Sequence, residues 1–355
     1  METKLFKSKA IITFLFFVVL FSSQMVQAVN RTVYVANHLF EASKGKISVY
    51  QVEDDELVFI DYIETTNPGC GAISLDIDES SNILFLSFED CGDGGNIALV
   101  DAKRIADEEI KMIHLGGSGM DIMGLAYDSE RHKLYGTQRN DNILYIMNWD
   151  SENLLLELED TIELDEISHA CGLEIDANDL YVSEYLYATN YGDPGRDVYK
   201  YDIADNFSFV EKIHMHHEGV VDIAYNPVND VLYGGVYGSE PNSVPREYVV
   251  RKVFDPNSIS SRDIGAMAVG ITADYTRADI LYASTFRDGY NPYVEIWDLS
   301  NWDDPNYTPV YVDIDDSGVM STGGIVFTTA GYKPGYKIDV DIDDGVAEPN
   351  ECVGN

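Results

Sequence analysis

Residues 124–150 read GLAYDSERHKLYGTQRNDNILYIMNWD. The runs GLAY, KLYGT and ILYIMNW are short, rich in β-branched and aromatic residues, and separated by Asp, Ser, Asn and Gln. That is the signature of strands rather than helices. The fold is decided by whether this unit stands alone or repeats.

It repeats. A small residue, three mostly apolar positions and then Asp or Asn recur at Ser74–Asp78, Gly124–Asp128, Gly172–Asp176, Asp222–Asn226 and Gly270–Asp274. A sixth copy, Gly324–Thr328, lies near the C-terminus, and successive starts are 50, 48, 50, 48 and 54 residues apart. A second apolar run follows each of the first five: ILFLS (83–87), KLYGT (133–137), DLYVS (179–183), VLYGG (231–235) and ILYAS (280–284). Third runs read NIALVD, NILYIMNWD, DVYKYD, EYVVRKVFD and YVEIWD, and fourth runs include EIKMIHL, LLLELEDTIEL, FSFVEKIHM and TPVYVDID. Four strands in about 50 residues is the period of a β-propeller blade.

The ends complete the count. TVYVAN, GKISVYQV and ELVFIDYI, near the start, fit second, third and fourth strands without a first, whereas GGIVFTTA (323–330) is a first strand without followers. Together they make one blade from both termini, which removes the open edges a sheet must otherwise protect. The expectation is an all-β, six-bladed propeller of four-stranded blades over residues 29–332, closed by a blade shared between the N- and C-terminal segments.

Residues 1–28 stand outside that pattern. Lys4, Lys7 and Lys9 precede the twelve apolar residues AIITFLFFVVLF, and Val26-Gln27-Ala28 offers small residues for cleavage. This reads as a signal peptide, too short to cross a hydrocarbon core of about 30 Å comfortably. A secreted or cell-surface chain starting near Val29, with no transmembrane helix, is expected. Removing Glu2 and the three lysines takes the net charge from −39 to −41. Such a surface repels nucleic acid and anionic lipid. It leaves solubility in high salt, divalent cations or a cationic partner as readings of the acidity. A 45% hydrophobic content with 24 tyrosines excludes a disordered chain.

Val33-Tyr-Val-Ala-Asn37 with GKISVYQV resembles the YVTN-type repeat of extracellular and surface-layer propellers. The GLAYD, LYGT and ILYIMNWD unit is also similar to NHL-type and low-density-lipoprotein-receptor-type blades. The resemblance covers residues 31–330. Its motifs specify strands and turns and carry no catalytic residue across.

Loop lengths give the ring a polarity. Turns between first and second strands are tight (DESS, SERH, AN, PVND, YTRA), whereas second-to-third connections such as NHLFEASKG (37–45), EYLYATNYGDPGRD (184–197), GSEPNSVPR (238–246) and FRDGYNPY (286–293) are long. Function favours long loops on a rigid scaffold. That face is expected to display His38, Phe40, Tyr185, Tyr187, Tyr191, Phe286, Tyr290 and Tyr293 as a surface for a protein or glycan partner, self-assembly included. Asp121, His169, His216, His217 and Glu218 lie at the approaches to the central channel. HMHHE (214–218) is a local histidine cluster with potential for a metal, but alternation along a strand keeps His217 from the side shared by His214 and His216.

Six-bladed lactonases and phosphotriesterases of the gluconolactonase kind are the rival class. They hold calcium in the channel with Glu, Asn and Asp from several inner strands. No matching Glu stands near the first inner strand here, and Asp222 and Asp121 remain as candidates. There is no GxSxG, HExxH or phosphate-cradling loop. The acids that recur at the end of the first run read as turn formers whose carboxylates accept backbone N–H bonds. Residues 333–355 read as an acidic tail, in which Asp339, Asp341 and Asp343 have the alternate spacing of a Ca²⁺ loop without its position-six glycine or position-twelve glutamate. Finally, a hairpin centred between Ser80 and Ser81 places Cys70 opposite Cys91, within reach of a disulfide. Pairing of Cys171 and Cys352 is left open. The reading is a binding or assembly module, with a calcium-dependent lactonase or esterase as the alternative.

Overall fold

The structure is a computed structural model. It describes residues 31–329 apart from 39–43, 55, 69–70, 90–95, 103–110, 115–121, 139–141, 177–184, 191–196, 216–219, 227–228, 239–245, 254–257, 264–266, 278, 287–292, 305 and 315–320. Strands dominate these residues, as the runs of β-branched and aromatic residues require. β1 (Thr32–His38), β2 (Lys44–Glu53) and β3 (Glu56–Pro68) precede β4 (Gly71–Asp78), β5 (Ile83–Glu89), β6 (Asn96–Asp101) and β7 (Lys111–His114). The opening stretch forms β8 (Ile122–Asp128), β9 (Lys133–Gln138) and β10 (Ile143–Asp150), followed by β11 (Leu155–Glu163). Next come β12 (Ala170–Ile175), β13 (Tyr185–Asn190), β14 (Val198–Asp202) and β15 (Ser208–Ile213). The remainder are β16 (Val220–Asn226), β17 (Val231–Gly238), β18 (Arg246–Val253), β19 (Ser258–Asp263), β20 (Met267–Ala273), β21 (Ile280–Phe286), β22 (Tyr293–Asp298), β23 (Val310–Asp313) and β24 (Ser321–Thr328).

Among the described residues these strands form six four-stranded antiparallel sheets. Five take consecutive strands, from β4–β7 to β20–β23, and the other has the order β24-β1-β2-β3. In that sheet Val33 pairs with Phe327 and Val35 with Ile325. The first strands β4, β8, β12, β16, β20 and β24 contact one another in cyclic order, giving a propeller-like ring of blades. The hydrophobic core is correspondingly divided. Each of six clusters lies between two neighbouring sheets, as where Phe85 and Ile97 meet Tyr127 and Trp149, or Val33 and Tyr50 meet Tyr282 and Val294. Each blade therefore buries both faces. Burying a large apolar side chain contributes about 1.5–3 kcal/mol, so stability resides in the stacking of blades.

A first strand pairs with its own blade along one edge only, and its other edge faces the ring axis and the next blade. Backbone N–H groups there need acceptors. Side chains supply them in a regular way. Ser74 Oγ accepts from Leu125 N–H (3.1 Å), and Asp76 Oδ2 accepts from Tyr127 N–H. Asp222 Oδ2 accepts from Ile271 N–H (3.0 Å), and Thr272 Oγ1 from Phe327 N–H (3.3 Å). The first repeat position thus serves the second position of the following blade, and the third serves the fourth. Where the first position is glycine, the backbones close in instead. A Cβ on Gly124 would lie 2.2 Å from the Cys171 carbonyl oxygen, and one on Gly172 would lie 2.5 Å from that of Val221. Threonines of second strands then bridge the gap, Thr137 Oγ1 donating to the Cys171 carbonyl and Thr189 Oγ1 to the Val221 carbonyl.

The recurring acids are turn formers, as expected. Asp78 Oδ1 accepts from Ser80 N–H (3.0 Å), Asp128 Oδ1 from Glu130 N–H (3.0 Å) and Asp274 Oδ1 from Thr276 N–H (2.9 Å). Four residues after Asp78, Asp128 and Asn226, the residues Asn82, His132 and Asp230 adopt φ of 60°, 53° and 53°, left-handed positions that Asn, Asp and His tolerate better than most residues. Asp78 also receives Trp149 Nε1–H of the next blade at 2.8 Å, tying turn to neighbour.

Two expectations need correction. The second strand of the β12 blade is Tyr185–Asn190, not Asp179–Ser183, which falls outside the described residues. Both runs suit a strand, and packing decides. The observed register buries Leu186 and Ala188 and sets Thr189 Oγ1 2.8 Å from the Gly172 N–H. Within the stretch expected to be a loop, Tyr185–Asn190 is therefore strand, and Tyr185 and Tyr187 belong to it. The second correction concerns register. Asp78↔Ile83 to Leu75↔Leu86 follow the expected hairpin, but a bulge shifts the pairing to Ala72↔Phe88 and Gly71↔Glu89. The register entering the loop is one residue off the alignment that sets Cys70 against Cys91. Both cysteines lie outside the described residues.

Close approach at the glycines predicts the cost of filling them. Gly172→Ala should lower unfolding stability by about 3 kcal/mol, because its Cβ meets fixed backbone atoms. Gly136→Ala, whose Cβ meets the flexible Met147 Cε at 3.2 Å, should cost less than half as much. Urea denaturation of the two variants checks the order.

Candidate functional site

The first strands converge on the axis, and among the described residues a cavity of about 150 Å³ lies at the tight-turn end of the ring. Every sheet contributes to it: Val326 and Phe327, Asp76 to Ser80, Tyr127 and Ser129, Glu174 and Ile175, Tyr225, and Thr272, Ala273 and Tyr275. Among the described residues no lysine, arginine or histidine lines it. It sits at the end opposite the long loops, where the sequence directed attention elsewhere.

Asp76 and Glu174 project from the third repeat position of β4 and β12, and Asp222 from the first position of β16. All three are half-buried. Burial raises the Asp76 carboxyl to about 7, against hydrogen bonds from Ile77 and Tyr127 that favour its ionised form. Asp222 is likewise raised by burial to about 7. Glu174 is raised well above the usual carboxylate range, first by burial and then by the negative charges of Asp76 and Asp222. In three blades an acid thus has its carboxyl pushed upward by burial while serving as acceptor for adjacent backbone.

A clasp crosses the ring beside them. Glu79 Oε1, in the β4–β5 turn, accepts from the Tyr275 hydroxyl, the Thr328 hydroxyl and, at 2.9 Å, the Thr329 N–H. One carboxylate so links the β4–β7 blade to the β20–β23 blade and to β24. The Tyr275 ring packs edge-on against Phe327 (5.2 Å). Tyr225 stacks on Tyr187 (5.7 Å, 23°), and Tyr127 packs against Phe85 (5.3 Å).

The sequence-derived candidates distribute differently. Tyr187 is 2% exposed and serves the packing between blades, so it is not a surface ligand group. Tyr185 is half-buried under the Lys200 ammonium, which lies 3.7 Å from its ring centre. His38 ends β1 and Phe286 ends β21, while Tyr293 opens β22 with its ring edge-on to Tyr311 (5.2 Å). Phe40, Tyr191, Tyr290, Asp121, His216, His217, Glu218, Asp339, Asp341 and Asp343 lie outside the described residues. His169 stands just before β12, its N–H donating to Asn190 Oδ1 (3.1 Å). His214 Nδ1 lies 2.7 Å from Asp197 Oδ1, and Lys212 Nζ is 2.7 Å from the other oxygen of that carboxylate. The Asp197 carboxylate thus lies between His214 and Lys212. Among the described residues no three His, Cys, Asp or Glu groups converge as a metal-ligand set.

Sequence reasoning named Asp222 for the channel but missed Asp76, Glu174, Glu79 and the tyrosines Tyr127, Tyr225 and Tyr275. For Asp76 and Glu174 the signal was the third repeat position, where Ala126, Ala224 and Val326 stand in other blades and an acid is unexpected; Glu79 and the three tyrosines carried none.

A raised carboxyl pKa fixes the sign of a pH effect. Below about pH 4 the acids are protonated in folded and unfolded chains alike. Between about pH 4 and 7 the unfolded chain releases these protons while the folded one retains them, so stability falls as pH rises and levels off above about 7. Asp76→Asn and Asp222→Asn keep an acceptor for the neighbouring N–H. Each should raise stability at pH 8 by on the order of 1 kcal/mol, with channel solvent moderating the effect, and leave stability at pH 4 nearly unchanged. Denaturant midpoints at both pH values test this, and an unaltered pH slope in the double variant contradicts it.

No family model and no curated protein matches the sequence. Solved structures match by shape. A chain of the nidogen/laminin complex superposes with a TM-score of 0.61 at 10% identity, over 84% of this chain and 98% of its own length. A protein from Lactobacillus plantarum gives a TM-score of 0.51 at 14% identity, over 80% of this chain and 82% of its own. At such identities likeness speaks for architecture alone, and with the cyclic order of sheets it establishes an all-β propeller of four-stranded antiparallel blades.

Proposed function

We propose that the chain is a six-bladed propeller, closed by a blade shared between its terminal segments, that acts outside the cell as a binding or assembly module without catalysis. In this reading residues 1–28 direct export, residues 29–332 form the ring and residues 333–355 are an acidic tail with an affinity for Ca²⁺. The YVTN- and NHL-like character of the repeats belongs to the same proposal. One observation carries it: the described polar groups along the first strands hold blade to blade and turn to strand, which is the work of a scaffold. The neighbour in a nidogen/laminin complex is a propeller-sized chain in a protein–protein assembly, which supports use of this scaffold for a protein partner.

The partner surface is assigned to the long-loop face, where His38, Phe40, Tyr191, Phe286, Tyr290 and Tyr293 gather around a mouth with Asp121, His169, His217 and Glu218. A calcium-dependent lactonase or esterase is the competing activity.

Two measurements test the proposal. The purified chain with millimolar Ca²⁺ should turn over no lactone or aryl ester, whereas chelator-sensitive turnover would replace this reading with the hydrolase. On a glycan array and in cross-linking to candidate extracellular matrix proteins, capture should be lost in a Phe40→Ser/Tyr290→Ser variant that melts like the wild type. Capture that survives this variant overturns the assignment of the face.

A further inference from the structure

The axial cavity at the tight-turn end has a chemistry the scaffold role does not use. Asp76 and Glu174 reach it from blades that are not neighbours, and it is walled by Tyr127, Tyr225, Tyr275 and Phe327. The Tyr127 hydroxyl lies 3.5 Å from His132 Nδ1, and that of Tyr225 donates to Asp230 Oδ1 at 2.9 Å. Neither His132 nor Asp230 lines the cavity. The hydroxyls are drawn to the rim, and the apolar rings remain for the interior. Each ring is braced by another: Tyr127 by Phe85, Tyr225 by Tyr187, Tyr275 by Phe327. The wall is thus preorganised, which lowers the ordering cost of binding.

We propose that this cavity binds a small organic cation, an alkylammonium or guanidinium group.

Three features select that class. Carboxylates without a basic neighbour among the described lining residues set a negative potential. Aromatic rings add cation–π attraction, which strengthens when the cation leaves bulk water. The space of about 150 Å³ holds several non-hydrogen atoms, far more than a bare ion occupies, and the described acids do not converge as a metal-ligand set. Asp76, Glu174 and Asp222 repel one another, and a bound cation would relieve that repulsion. Free amines and a lysine or arginine side chain of a partner share this chemistry.

Calorimetric titration of the full chain at pH 8 with n-butylammonium chloride, in a background of matched sodium chloride, reads the proposal directly. Saturable binding is expected, with n-butanol of nearly equal shape binding at least about tenfold more weakly. Glu174→Gln should weaken n-butylammonium by about tenfold, and Tyr127→Leu should also weaken it. Affinity should fall from about pH 8 to pH 6 as protons compete. Because Glu174→Gln removes a half-buried carboxyl whose ionised form is costly, its melting point should be no lower than that of the wild type; if it fails to fold, Asp76→Asn takes its place. Equal binding of n-butanol, indifference to the carboxyl variant, or displacement of n-butylammonium by stoichiometric Ca²⁺ overturns the proposal. A peptide with a terminal lysine, compared with its acetyl-lysine form, separates a partner side chain from a free amine. Phe40→Ser/Tyr290→Ser, which changes none of the described lining residues, should leave this binding intact, so it stands or falls apart from the long-loop assignment.

Discussion

Everything in this ring depends on how the exposed edge of each first strand finds acceptors. The first-strand edges of the described sheets meet around one axis, where no further strand can be added. An N–H group buried without an acceptor costs about 1–3 kcal/mol. The chain answers with side chains of the preceding blade, an Oγ or a carboxylate at alternate repeat positions, or with glycine where the backbones must approach. The contacts run in one direction around the ring. Each blade prepares the edge of the next.

This economy explains why acids stand in the interior of so negative a protein. Asp76, Glu174 and Asp222 occupy acceptor positions that Ser74 and Thr272 fill with neutral oxygens. A carboxyl group reaches further than a hydroxyl, but burial makes its ionised form costly. The same three groups are therefore acceptors for the scaffold and sources of negative potential for whatever enters the axis. Structure and ligand chemistry share the same atoms.

The sequence disclosed the blades because a strand announces itself through local pattern. The 50-residue spacing and the tight Asp-led turns place nearly every strand, and the recurring Asp78, Asp128 and Asp274 are the turn formers they were expected to be. It failed where two local solutions compete. Asp179–Ser183 and Tyr185–Asn190 both read as strands, and only contact with the adjoining blade, through Thr189 and Tyr187, selects the second. Register failed for a related reason. The bulge between Ala72 and Leu75 accommodates the approach of the first strands to one another, a constraint that no residue in the hairpin declares. The candidate site was the least legible feature. Glu174 and Tyr275 are unremarkable in their own blades, and they gain meaning only when six blades place them around one space.

Pairing of β24 with β1 has a consequence in time. A chain emerging from its N-terminus makes β1, β2 and β3 first, but their inner neighbour arrives almost three hundred residues later. Until then Val33, Tyr34 and Val35 lack the strand that covers them, and Glu79 lacks Thr328 and Thr329. Five blades can stack as they are completed, each on local contacts, while the first waits for the last segment. Contacts so distant in sequence form slowly. Pairing of β24 with β1 is therefore the slow step expected in assembling the described sheets, and the axial cavity lacks Val326 and Phe327 from its wall until it forms.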